Sequence, residues 1–111
     1  MYAALKLLTR SEEFVLLAVW KLQDRAYSLP IRKRLSDITN NEWSLGAIYT
    51  PLERLVKNGL LTSYLTKATP ERGGRHKRVY ELTPKGRQAL IHIREVEKAM
   101  WAGITGLVMG R

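Results

Sequence analysis

Apolar residues recur along this chain in runs whose period changes, and each change marks an element. From Phe14 to Leu22 the chain is apolar almost all round (Phe14, Val15, Leu16, Leu17, Ala18, Val19, Trp20, Leu22), which a helix tolerates only when neighbours cover most of its circumference. Thr9 and Glu12 stand before this run at the spacing of a capping box, so a first, central core helix is expected to begin near Arg10. Asp24 to Ser28 is a polar break. Pro30 suits the first turn of a second helix, with Ile31, Leu35 and Ile38 along one side and Arg32, Lys33 and Arg34 covering the other. Asn40 and Asn41 end it. Ser44 then offers an N-cap, with Trp43 before it and Ile48 placed to close a hydrophobic staple. A third helix is expected over about Leu45 to Asn58, its apolar face Ile48, Leu52, Leu55 and Val56, leaving Tyr49, Thr50, Glu53, Arg54 and Lys57 for outside contacts. Pro51 removes one backbone hydrogen bond inside it, which predicts a kink or a tighter first turn.

Past Gly59 the period shortens. Leu60 to Ala68 and Arg78 to Leu82 read as the two strands of a hairpin, joined by a basic tip that carries Pro70 and Gly73-Gly74. Thr83-Pro84 marks a new N-cap with proline at the first helical position. Leu90, Ile93, Met100, Ile104 and Leu107 form one stripe of a last helix, with Trp101 beside it. If helical from Thr83 to Met109, it would span roughly 40 Å at 1.5 Å per residue. The rest of so small a chain is roughly 26 Å across. Such a helix projects, and its stripe calls for a partner, most simply a second copy of the chain. The expected organisation is mainly α with a small β-hairpin (α+β): a helical and hairpin part over residues 1–82 and a dimerisation helix over 83–111.

Composition narrows the function. The 111 residues make one ordinary domain, and 45% hydrophobic with 26% charged residues are globular values. There is no cysteine, which removes disulfides, thiolate metal sites and cysteine nucleophiles and suits the cytoplasm. No apolar run reaches the roughly 18 residues of a membrane span, and the segment before Thr9 lacks the features of a signal peptide. Nineteen Lys and Arg against ten Asp and Glu give a formal charge of +9, which favours a polyanionic partner.

Three helices followed by a basic hairpin form a winged helix-turn-helix, in which the third helix enters a DNA major groove and the hairpin lies along phosphates. The tip and its flank, Glu71-Arg72-Gly73-Gly74-Arg75-His76-Lys77-Arg78, hold four obligatory cations in eight residues, and the glycines let backbone approach a sugar-phosphate strand. Taken alone, such a charged tip equally serves to keep an exposed edge from aggregating. Leu45-Gly46-Ala47-Ile48-Tyr49-Thr50 with Leu52-Glu53-Arg54-Leu55 and Asn58-Gly59-Leu60-Leu61 resembles the recognition-helix segment of PadR-type regulators. The segment from Glu71 through Arg75 and on through Arg78-Val79-Tyr80-Glu81-Leu82-Thr83-Pro84-Lys85-Gly86 resembles their wing and the start of their dimerisation helix. The likeness runs from about Thr9 to Leu90. It implies a homodimeric, usually repressive DNA-binding regulator. Two features depart from the family pattern: Pro51 stands where many members carry a small or apolar residue, and the C-terminal part is one helix rather than a full second domain.

The expected DNA contacts are Ser44, Gly46, Ala47, Tyr49, Thr50 and Arg54 on the recognition helix and Arg72, Gly73, Gly74, Arg75, His76, Lys77 and Arg78 on the wing. The expected dimer contacts are Leu90, Ile93, Met100, Trp101, Ile104 and Leu107. Alternatives stand beside several of these: Ser44 as a cap only, Tyr49 as interhelical packing, Arg54 paired with Glu53, and Arg32, Lys33 and Arg34 as a solvated face or one phosphate contact. Trp20, Trp43 and Trp101 read as core, staple and dimer packing respectively, or as the lining of a pocket for a small hydrophobic or aromatic effector, since some family members bind flat effectors between subunits. His76 and His92 lack the neighbours of a metal site, and no cofactor motif is present. No nucleophile with its base, carboxylate pair or phosphate-cradling loop stands out, so an enzyme is not expected. The rival reading is a winged helix used as a protein-interaction adaptor. Binding to a membrane surface would instead place the cations along one amphipathic helix.

Overall fold

The computed structural model describes residues 7–67 and 76–104; the expected sites Arg72, Gly73, Gly74, Arg75 and Leu107 lie outside the described residues. The elements are α1 (Arg10–Leu22), a single 3-10 turn (Gln23–Arg25), α2 (Ser28–Thr39), α3 (Leu45–Lys57), β1 (Leu61–Leu65), β2 (Arg78–Leu82) and α4 (Pro84–Trp101). Helix α1 begins with a complete capping box. Thr9 Oγ1 accepts from Glu12 N–H, and Glu12 Oε1 accepts from Thr9 N–H, at 3.1 and 2.9 Å. Two of the orphan donors at a helix start are thereby satisfied.

The core forms where α1, α2, α3 and the hairpin converge, on Val15, Leu16, Val19, Ile31, Ile48, Leu52, Leu55 and Leu61. It covers less of α1 than the sequence suggests. Leu17 and Trp20 stay half exposed. Trp20, expected in the core, lies under the Arg87 guanidinium of α4, 5.0 Å from its ring centroid. Ile38 also leaves its expected place and is 63% exposed, because α2 meets α1 and α3 through Ile31 and Leu35, closer to its start. Val56 stands on the flank of α3 and is 38% exposed.

Strands β1 and β2 pair antiparallel, with Leu61 opposite Leu82 and Leu65 opposite Arg78. One further bond, from Thr66 N–H to the Lys77 carbonyl at 2.8 Å, prolongs the ladder toward the tip. The hairpin is held to the helices by main chain as well as by packing. Tyr80 N–H donates to the carbonyl of buried Ala26 at 2.9 Å, tying β2 to the link between α1 and α2.

Helix α4 starts as expected, with Thr83 Oγ1 accepting from Gly86 N–H and Pro84 in the first turn. It ends earlier than expected, at Trp101, with Gly103 in the left-handed region (φ 82°) that stops helices. Its 18 residues span about 27 Å. The first half is clamped to the α3–β1 turn. Thr83 Oγ1 donates to Gly59 O (2.6 Å), Lys85 Nζ to Asn58 O (3.1 Å), and Gly86 comes so close to Leu60 that a Cβ there would stand 2.1 Å from its carbonyl oxygen. From Arg94 to Ile104 every residue is exposed. No described helix is long and apolar enough to cross a membrane.

Candidate nucleic-acid interface

The turn between α2 and α3 sets the pose of α3. Arg32, read as solvated or as a phosphate contact, instead turns inward and donates through Nε to the Trp43 carbonyl at 2.6 Å. Trp43 is half-buried against the core, its N–H donating to Ser36 Oγ (3.3 Å) and its indole Nε1–H to Thr39 Oγ1 (3.0 Å). Ser44 then caps α3, its Oγ accepting from Ala47 N–H at 3.1 Å. Pro51 does not interrupt the helix, which runs unbroken from Leu45 to Lys57 with the Pro51 ring buried in the core side. The bond it removes is the one to the carbonyl of Ala47, an exposed residue that water can reach.

Ile48, Leu52 and Leu55 point into the core, so a turn of 3.6 residues places Gly46, Thr50, Glu53 and Lys57 on the opposite, solvent side. All four are exposed. Tyr49 stands on the flank facing the hairpin, 43% exposed, with its hydroxyl 3.3 Å from Ser28 Oγ at the start of α2. Arg54 stands on the other flank. Its guanidinium reaches Glu12 Oε2 at 4.0 Å, so its carboxylate neighbour is the capping residue of α1 and not Glu53.

Between α3 and the hairpin lies an open cleft of about 800 Å³, walled by Tyr27, Ser28, Tyr49, Glu53 and Lys57 on one side and by Ser63, His76, Lys77 and Arg78 on the other. Cations and hydroxyls converge here. Lys77 lies over the Tyr27 ring (4.6 Å to the centroid) with Nζ 3.4 Å from Tyr27 Oη, and Arg78 donates to Ser63 Oγ at 3.0 Å. His76 Nδ1 sits 2.5 Å from the Thr66 carbonyl, and Lys77 N–H donates to Thr66 Oγ1 at 3.0 Å, so the neck of the hairpin is cross-braced. Burial raises the Tyr80 hydroxyl above its ordinary pKa of 10.0; Arg78 opposes the rise, and Tyr49 and Glu53 add to it. Tyr80 therefore stays a neutral donor beside the cleft. Tyr27 and Ser28 were not among the expected contacts, and Lys57 was read as facing outward without being named as a DNA contact. Lys57 was legible as the fourth member of the Gly46 stripe, whereas Tyr27 and Ser28 are brought to the cleft only by tertiary packing.

Helix α4 builds a second surface. Leu7, Ala89, Ile93, Val96, Met100 and Trp101 line an open groove of about 420 Å³ where α4 passes the start of α1, with Arg10, Glu13, His92 and Glu97 among them. Arg10 Nη1 lies 3.8 Å from both Glu13 and Glu97. Burial pushes Glu13 above the ordinary 4.5; Arg10 opposes this and Glu97 reinforces it. Leu90, expected at a dimer contact, packs half-buried against the core of its own chain. Met100, Trp101 and Ile104 are 72%, 44% and 48% exposed. The described residues contain no group of three or more His, Cys, Asp or Glu able to hold a metal ion.

Solved structures share this architecture. A PadR family transcription regulator from Clostridium difficile R20291 is 25% identical, with 92% of this chain and 96% of that one covered at a TM-score of 0.64. RosR of H. salinarum is 22% identical (88% and 81% covered, TM-score 0.67), and a PadR-like transcription factor from Bacteroides fragilis is 24% identical (82% and 85% covered, TM-score 0.66). No curated protein sequence matches. The model of the transcriptional regulator PadR-like family matches residues 16–92, which include α2, α3, the hairpin and the clamped half of α4. The chain thus belongs to the PadR-like family of transcriptional regulators, whose members are not enzymes.

Proposed function

We propose that the protein is a sequence-specific double-stranded DNA-binding repressor that works as a homodimer, with α3 in the major groove and the hairpin as a basic wing on flanking phosphates. The observation that carries this reading is the convergence on one side of the molecule of the outward stripe of α3 and a cleft walled by Lys57, Lys77 and Arg78. Glycine at position 46 supports it. A Cβ there would meet nothing closer than Ser44 Oγ at 3.9 Å, so packing does not require glycine, and an open helix start suits close approach to a sugar-phosphate strand. Ser44, Ala47, Tyr49 and Thr50 share this helix start, whereas Arg54, turned toward α1, serves a phosphate at the edge of the footprint. Arg72, Gly73, Gly74, Arg75 and His76 extend the wing.

The exposed apolar residues Met100, Trp101 and Ile104 at and just beyond the end of α4 support the dimer, with Ile93 beside them and Leu107, read from the sequence alone, as further contacts. A two-fold axis there sets two recognition helices about 34 Å apart on a pseudo-palindromic site. The apolar groove between α4 and α1 is where a flat hydrophobic effector would bind in the cytoplasm, shifting DNA affinity by its preference for one dimer geometry. The test is selection from random-sequence DNA over a salt series, for the parent and for a variant with Arg72, Arg75, Lys77 and Arg78 changed to alanine. An enriched palindrome, with a salt slope that falls by about 0.9 per lost phosphate contact in the variant, is expected. Absence of any enriched site would refute DNA reading and favour a protein-interaction adaptor.

A further inference from the structure

Glu53 is the one carboxylate on the outward stripe of α3, between Thr50 and Lys57, each one helical turn away. The side chain is exposed and makes no hydrogen bond or ion pair with any described residue, although Lys57 lies at the i+4 spacing that favours one. The neighbouring Arg54 is drawn away to Glu12. A negative charge with no salt-bridge partner among the described residues, in the middle of a surface otherwise suited to a polyanion, lowers affinity wherever it meets a phosphate. In the pose proposed above, its place in the middle of the outward stripe sets it over the floor of the groove, between the two phosphate strands.

On that floor the base edges are not equivalent. An ionised carboxylate only accepts hydrogen bonds. Guanine offers two acceptors, N7 and O6, and thymine offers O4 and a methyl group. Adenine sets its N6 donor beside the N7 acceptor, which opposes a second carboxylate oxygen. Cytosine offers its N4 amino group alone. We propose that Glu53 is a specificity-determining residue that selects a cytosine in each half-site, a proposal that rests on the DNA-binding function inferred above. The charge costs affinity for every other sequence and so acts mainly by rejection.

The experiment is parallel selection from random-sequence DNA with the parent protein, Glu53→Gln and Glu53→Ala, followed by binding to the four single-base variants of the enriched site. The exposed position makes both substitutions neutral to folding, which a thermal melt checks. The parent should prefer cytosine at one position of each half-site by on the order of tenfold. Glutamine, which both donates and accepts, should move that one preference to adenine, and alanine should abolish it, the rest of the site being unchanged. Base preferences identical in all three proteins would overturn the proposal while leaving DNA binding intact. A uniform rise in affinity without any change of base preference would overturn it equally. If the parent enriches no sequence, the DNA-binding reading itself falls, and this proposal with it.

Discussion

Replacing Gly46 by alanine separates folding from binding, because the two should move in opposite directions. The backbone at this position is not in the left-handed region, and the added Cβ would have 3.9 Å to its nearest neighbour, Ser44 Oγ. Alanine is favoured over glycine by up to about 1 kcal/mol inside a helix, and in the first turn of α3 about half of that is expected. Thermal unfolding should therefore rise by roughly 2 to 4 °C. Binding should move the other way. A methyl group on the outward stripe would hold the helix start off the sugar-phosphate strand and lengthen at least one bond to phosphate, worth about 1.5 to 3 kcal/mol. That corresponds to roughly ten- to a hundredfold in affinity. The assay pairs a thermal melt with fluorescence anisotropy on the selected operator at one fixed salt concentration. A higher melting temperature with unchanged affinity would refute the placement of Gly46 against DNA, and a lower melting temperature would refute the packing argument.

Three further outcomes follow from named contacts. Gly86→Ala should destabilise the protein by about 3 kcal/mol, because the Leu60 carbonyl is backbone and cannot swing aside; a loss below about 1 kcal/mol in denaturant unfolding would show that the clamp yields. Arg32→Ala should cost about 2 kcal/mol by removing the charge-assisted bond to the Trp43 carbonyl, and an unaltered unfolding midpoint would contradict this. Burial, reinforced by Glu97 and opposed by Arg10, holds Glu13 above 4.5, so the folded protein binds that proton more tightly than the unfolded chain does. Its contribution to stability is therefore greatest below pH 4.5 and is lost as the pH rises through the raised value. Glu13→Gln should flatten that fall as the pH rises above 4.5, and a slope equal to the parent's in chemical denaturation at each pH would count against it.

Local chemistry carried much of the architecture. The Thr9 and Glu12 box, the Ser44 cap, the Thr83-Pro84 start and the strand Arg78–Leu82 are all readable in sequence because each is settled by residues within a few positions of one another. The outward stripe of α3 is readable for the same reason, since helical period alone sets Gly46, Thr50, Glu53 and Lys57 opposite Ile48, Leu52 and Leu55. What periodicity does not hold is how far each helix is covered by its neighbours. Apolar pattern put Trp20 and Ile38 in the core and Leu90 at a partner surface, yet helix crossing exposes the first two and draws the third inward. Arg32 and Arg54, which read as surface cations, were redirected by a carbonyl eleven residues on and by a carboxylate on another helix. The meeting of Tyr27 and Ser28 with Lys77 and Tyr49 across the cleft depends on the bond from Tyr80 to Ala26 and on the packing of the hairpin against α3. Sequence by itself determined the helix starts with their caps and the side of α3 that faces outward, because these depend on neighbours in the chain. Tertiary structure alone decided which cations turn to brace the fold, as Arg32 and Arg54 do, because that depends on groups that only folding brings within a few ångströms.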